Sequence, residues 1–139
     1  MDMATLAPTV EATSIDDYDA IAGVIEQYID GSAKGDRTKL ERAFHSDARM
    51  YGALAGHRYD VPIEELFKMA GEGPMDTDGH YRARITSVDQ VGDAAVATLL
   101  EEGCWGTVSF IDYFSLARID GSWTIVNKVF AHTGGTPPF

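Results

Sequence analysis

An aspartate interrupts the most apolar part of this chain. In Val108–Phe130, VSFIDYFSLARIDGSWTIVNKVF, Asp112 stands between Ile111 and Tyr113 in a run that reads as two strands and a tight turn. A carboxyl group on a half-buried strand must find a donor or keep its proton, because burying it charged and unpaired is costly. On a pocket wall, such a group can orient a ligand oxygen. Proton transfer next to it would need a base, and the chain offers His45, His57 and His80 for that role. His132 falls at the end of the last strand. Cys104 is the sole cysteine, so no internal disulfide forms, and a buried, unreactive thiol is the ordinary fate of such a residue. No zinc-ligand or calcium-loop spacing is present, nor a phosphate loop or dinucleotide fingerprint; neither a metal nor a cofactor is expected.

The elements that must hold these groups fit in one domain, since 139 residues support one core. With 45% hydrophobic and 24% charged residues the composition is that of a globular protein. No apolar run approaches the roughly 20 residues that span a bilayer. The N-terminus lacks a basic segment followed by an apolar one, so a cytoplasmic location is expected. The net charge of −11 argues against nucleic acid and anionic membrane as partners, because both require a basic surface.

Residues 1–14 are small, polar and aperiodic and are expected to form a flexible arm. The domain proper is expected over 15–133, with 134–139 as a tail. Ser14, followed by Asp16 and Asp17, reads as a helix start. Tyr18, Ile21, Ala22, Ile25, Tyr28, Ile29 and Ser32 then recur at helical spacing up to Gly35. A second helix starts from Asp36 as cap and packs Leu40, Ala43 and Phe44. A hairpin is predicted over about 48–53 and 56–60. A third helix follows, with Pro62 in its first turn and Ile63, Leu66, Phe67, Met69 and Ala70 on one stripe. The glycine-rich segment Gly71–Tyr81 reads as a connector or a lid. Strands are predicted over 80–90, 94–102, 107–119 and 122–132, the last two joined by Asp120-Gly121, a strong hairpin signal. Helices first and a mostly antiparallel sheet after make this an α+β chain.

A two-residue turn at 120–121 fixes a register. Ile119 faces Ser122, so Arg118 faces Trp123, Leu116 faces Ile125, Phe114 faces Asn127 and Asp112 faces Val129. On this reading Asp112 shares a face with Phe110, Phe114, Leu116, Trp123 and Ile125, and Asn127 is its polar neighbour. Ile111, Tyr113, Val126, Lys128 and Phe130 fall on the opposite face.

Two stretches resemble a known family. YIDGSAKGDRTKLERAFHSDARMYG, Tyr28–Gly52, is similar to the helix–helix–strand opening of the nuclear transport factor 2-like superfamily, and FIDYFSLARIDGSWTIVNKVF, Phe110–Phe130, to its closing hairpin. The likeness runs from about Asp16 to His132 and is nearest to the lumazine-binding branch. It implies a cone: a strongly curved sheet of about six strands, wrapped around three helices and enclosing an apolar pocket. It also implies a homodimer joined through the convex sheet face, with Tyr113 and Lys128 in that interface. Fold alone says little about activity here, because the superfamily includes isomerases, dehydratases, cyclases and non-catalytic subunits.

Ketosteroid isomerases in this superfamily hold a substrate oxyanion between a helix tyrosine and a strand aspartic acid. By position these correspond to Tyr28, eight residues before Asp36, and to Asp112 in Ile111-Asp112-Tyr113-Phe114. The isomerase's carboxylate base would fall eight residues after Phe44, and Gly52 stands there. A substitute base would be His45, His57, Tyr51 or Glu64. The resemblance thus implies a small-molecule-binding domain in which Tyr28 and Asp112 hold a carbonyl, enol or phenolic oxygen of an apolar ligand. Tyr51, His57, His80, Phe114, Trp123 and Asn127 are the candidates to line the site. The alternatives are an isomerase, dehydratase or cyclase with that pair as oxyanion hole and a histidine such as His45 as base, and a protein-interaction domain with a vestigial pocket.

Overall fold

A computed structural model describes residues 14–139. The predicted arm, Ser14 apart, lies outside the described residues. Helix α1 spans Ile15–Lys34; the Ser14 side chain accepts from the Asp17 N–H at its start, and Gly35, left-handed at φ 67°, closes it. Ile21, Ile25, Tyr28 and Ser32 form its buried stripe. Helix α2, Arg37–Ala43, is capped by Asp36. Strand β1 begins at Phe44, so this residue belongs to the sheet rather than to the helix before it.

Strands β1 (Phe44–Leu54) and β2 (His57–Pro62) form the predicted hairpin. Pro62 ends β2 opposite Arg49 instead of opening a helix; α3 spans Glu64–Glu72 and takes in the first two residues of the glycine-rich segment. Strands β3 (Arg82–Val91), β4 (Ala94–Cys104), β5 (Val108–Ile119) and β6 (Ser122–Gly134) complete a six-stranded sheet in the order β2-β1-β6-β5-β4-β3. Every pairing is antiparallel except β1 with β6. The sheet curves without closing, and its inner face packs on the helices. Alternation along β4 is strict: Ala95, Ala97, Leu99 and Glu101 point inward.

The β5–β6 hairpin contains the decisive departure from the predicted register. Asp120 and Gly121 both have positive φ, 51° and 81°, as a type I′ turn requires, and pairing is as predicted up to Leu116 with Ile125. The next pair is Ser115 with Asn127, so Val126 is an extra residue, a β-bulge. Beyond it each β6 side chain changes face. Phe114 therefore pairs with Lys128 and Asp112 with Phe130. Lys128 and Phe130 are buried on the inner face, while Val129 is exposed beside Tyr113 on the outer one.

Candidate functional site

The inner face carries a cluster of polar groups without access to solvent. Tyr28, Glu101 and Asp112 are each 0% exposed, and Lys128 is 4% exposed. The Tyr28 hydroxyl lies 3.4 Å from both Glu101 Oε1 and Asp112 Oδ2, and the Tyr81 hydroxyl donates to Glu101 Oε2 at 2.5 Å. The two carboxyls thus flank one hydroxyl, that of Tyr28. Lys128 Nζ stands 3.5 Å from Asp112 Oδ1, an ion pair without hydrogen-bond geometry, which leaves that oxygen free to accept. The same ammonium lies 3.8 Å from Met50 Sδ and over the rings of Phe130 and Tyr28, at 4.6 and 5.6 Å.

Two carboxyls side by side in an apolar interior cannot both ionise cheaply. Burial, and then the neighbouring Asp112, push Glu101 well above the usual carboxylate range; Lys128 acts in the other direction without cancelling them. Burial, followed by Asp112 and Glu101, likewise raises Tyr28. Tyr81 is raised by burial and by Glu101, and Cys104 chiefly by burial. Glu101 thus carries its proton over a range in which a surface glutamate has lost it.

Lys128 connects this cluster to a cavity. The cavity walls are Ser32, Met50, Leu54, Tyr59, Leu66, Met69, Ala70, Gly73, Met75, Trp105, Phe110, Lys128 and Phe130, and Lys128 is the charged residue among them. Its free volume is about 30 Å³, room for a water or two and far below the roughly 300–1,000 Å³ of a drug-sized site. Met50, Met69 and Met75 supply flexible side chains that can yield to a larger occupant. Ser32 lies one turn along α1 from Tyr28, and its buried hydroxyl makes no hydrogen bond. Trp105 closes one side, its Nε1–H donating to the Gly73 carbonyl at 2.9 Å.

Of the residues singled out from sequence, the structure brings together Tyr28, Asp112 and Phe114, whose ring packs edge-on against Tyr28 at 5.0 Å. Tyr28 and Asp112 sit behind Lys128 and do not themselves line the cavity. The others lie elsewhere. His45, half-buried at the start of β1, accepts the Asp47 N–H through Nδ1. Tyr51 stacks under Arg49 on the outer side of β1, level with the exposed Val129. His57 is exposed, with its ring against Tyr59, and His80 is exposed ahead of β3. Trp123 donates to Asp17 near the start of α1. Asn127 sits beside the bulge, paired with Ser115 and Arg49 and not next to Asp112; the extra residue Val126 is the reason. For the same reason Lys128 and Phe130 line the cavity and do not lie on the outer face. None of the four histidines lines the cavity. At Gly52 a Cβ would lie 2.6 Å from both the ring and the carbonyl of Phe130, so the space for a side chain there is already filled. Among the described residues no cluster of potential metal ligands occurs, and no helix is long and apolar enough to cross a membrane.

Sequence reasoning missed Glu101 and misplaced Lys128. The alternation Ala95, Ala97, Leu99, Glu101 was sufficient to place Glu101 inward. Lys128 had no comparable signal, because a bulge has no fixed residue signature here.

Comparison with known proteins agrees with this architecture. A family profile described as "Putative lumazine-binding" matches residues 16–131. A nuclear transport factor 2-like protein of unknown function from Shewanella baltica superposes with a TM-score of 0.80 at 30% identity, covering 90% of this chain and all of that one. A second such protein, from Methylobacillus flagellatus, gives a TM-score of 0.79 at 35% identity over 87% of this chain and 95% of its own. A protein of Cladobotryum named aldolase FrzH is 26% identical over 115 residues, 82% of this chain and 90% of that protein.

Proposed function

The chain belongs to the "Putative lumazine-binding" family of nuclear transport factor 2-like domains, and from that premise we propose that it binds a small, largely apolar molecule whose carbonyl, enol or phenolic oxygen rests against the Lys128 ammonium. The observation that carries this reading is a single buried cation on an otherwise uncharged cavity wall. A buried ammonium of this kind gains from any partly negative oxygen brought to it. Tyr28 and Asp112, the pair expected to clamp that oxygen directly, act from behind: Asp112 anchors Lys128, and the Tyr28 ring lies under it. The family's name makes lumazine, a pteridine with carbonyl oxygens, an appropriate first ligand to try.

The test is fluorescence titration with 2-naphthol and with lumazine. Wild type should bind at least one of them, Lys128→Met should lose about tenfold or more in affinity, and Arg49→Ala, on the outer face, should not change it. Equal binding by wild type and Lys128→Met would remove the lysine from the site.

A second reading is an enzyme acting next to a carbonyl, favoured by the relative named an aldolase. There Lys128 would stabilise a developing oxyanion, and Asp112 Oδ1, which no hydrogen bond occupies, would exchange protons with the substrate only through the Lys128 amine beside it. A homodimer through the outer sheet face is also proposed. Register sets Thr98, Tyr113, Val129 and Tyr51 in one row there, and Val96, Tyr113 and Val129 are 48%, 49% and 39% exposed.

A further inference from the structure

We propose that Lys128 captures aldehydes and ketones covalently, as an imine formed inside the cavity. This deepens the binding reading and rests on it, since the carbonyl must first reach Lys128.

Three features of the site support the step. First, Lys128 is the nucleophile that the cavity presents: its stem and amine are held among Met50, Phe130 and the Tyr28 ring, and solvent hardly reaches it. Lysines in such apolar surroundings are the ones that serve as imine-forming nucleophiles. Second, a proton acceptor stands next to the amine. Asp112 Oδ1 is 3.5 Å from Nζ and has no hydrogen bond of its own. Third, Ser32 places an unpaired hydroxyl on the same wall, available to hold the carbonyl oxygen. A purely structural lysine would need the counter-charge of Asp112 but not the unpaired hydroxyl of Ser32.

The step balances within these groups. The ammonium passes a proton to Asp112, and the free amine adds to the carbonyl carbon, forming a C–N bond while the carbonyl π electrons move to oxygen. That oxygen takes up the proton that the adding nitrogen sheds, which gives the neutral carbinolamine. The hydroxyl then leaves as water with the proton returned from Asp112, and the iminium remains on Lys128. No oxidant or reductant takes part. The apolar walls favour water's departure and protect the iminium from hydrolysis.

The chain has four lysines, and the other three provide an internal control. Lys34 and Lys68 are exposed, and Lys39 is paired with Asp30. Wild type is treated with cyclohexanone or hexanal and sodium cyanoborohydride, which delivers hydride to the iminium carbon and fixes the adduct as a secondary amine. Intact mass and peptide mapping then locate it. Lys128 should be labelled at least about tenfold faster than any other lysine, and Asp112→Asn should slow Lys128 alone while leaving the surface lysines unchanged. Lys128→Arg, which keeps the charge, should show only the slow surface reaction. Thermal melts of both variants establish that they are folded. Labelling spread evenly over the four lysines overturns the proposal. Displacement of 2-naphthol by cyclohexanone is measured in parallel: displacement without an adduct overturns the imine and leaves the binding reading standing, whereas neither displacement nor adduct overturns both.

Discussion

The Lys128 ammonium and Asp112 Oδ1 lie 3.5 Å apart, with both side chains inside the protein. Removing one partner of a buried ion pair strands the other, whereas replacing both by neutral groups does not. Lys128→Met should therefore lower stability by about 3 kcal/mol, and Lys128→Met combined with Asp112→Asn should recover much of that loss. Urea melts of the four species in the cycle measure it. Additive losses would mean that the two groups do not interact.

Glu101 gives stability a pH dependence. Its folded-state affinity for a proton is raised, chiefly by burial and by Asp112, so the folded chain holds this proton more tightly than the unfolded chain does. The resulting stabilisation is complete below the unfolded pKa of about 4.3 and declines as pH rises toward the folded value. Glu101→Gln keeps a carbonyl for the Tyr81 hydroxyl and does not titrate. Its melting temperature relative to wild type should climb between about pH 4 and pH 7. A difference that stays flat across that range would show that Glu101 does not take up the proton.

Gly52 admits no side chain without displacing Phe130. Gly52→Ala should cost about 1–3 kcal/mol by overpacking, and Gly52→Asp should be worse without creating isomerase activity. Phe130→Ala should relieve only part of the cost, because the Phe130 carbonyl is as close as its ring. Chemical denaturation measures each cost, and full relief would place the obstruction in the ring alone.

The outer-face row predicts association. Wild type should sediment as a dimer, and Tyr113→Lys with Val129→Lys should yield a folded monomer, since both residues are exposed in the single chain and neither supports the core. A double variant that remains dimeric would locate the interface elsewhere.

Cys104 is fully buried, and burial raises its thiol above the ordinary range. Ellman's reagent at pH 8 should leave it unmodified in native protein and modify it fully in denaturant. Rapid native reaction would mean that β4 opens readily at its end.

Most of the architecture was legible in the sequence because its signals are local. Ser14 and Asp36 mark helix starts, Gly35 a helix end, and Asp120-Gly121 a hairpin, and each acts where it stands. Alternation put Asp112 on the same face as Phe110, Phe114 and Leu116, and the family resemblance made that face the inward one. The site was less legible because its members are brought together by pairing across strands. Tyr28 and Asp112, named together from the sequence, do lie side by side, yet the group that faces the cavity is Lys128, whose side of the sheet depends on the unpaired Val126 between it and the turn. Glu101 was readable from its own strand, but its meaning comes from Tyr81 and Asp112, which approach it from elsewhere in the chain.

That one unpaired residue also provides a ruler for relatives. Counting from the Asp-Gly turn, an inward lysine at this position requires the odd residue to be present; a homologue one residue shorter between turn and lysine would send the same amine outward. Such a homologue could retain the whole scaffold, its outer sheet face included, and have no cation in its hollow. Parity of spacing in the closing hairpin, rather than overall similarity, is therefore the trait by which to divide this lineage into chains that share the buried amine and chains that do not.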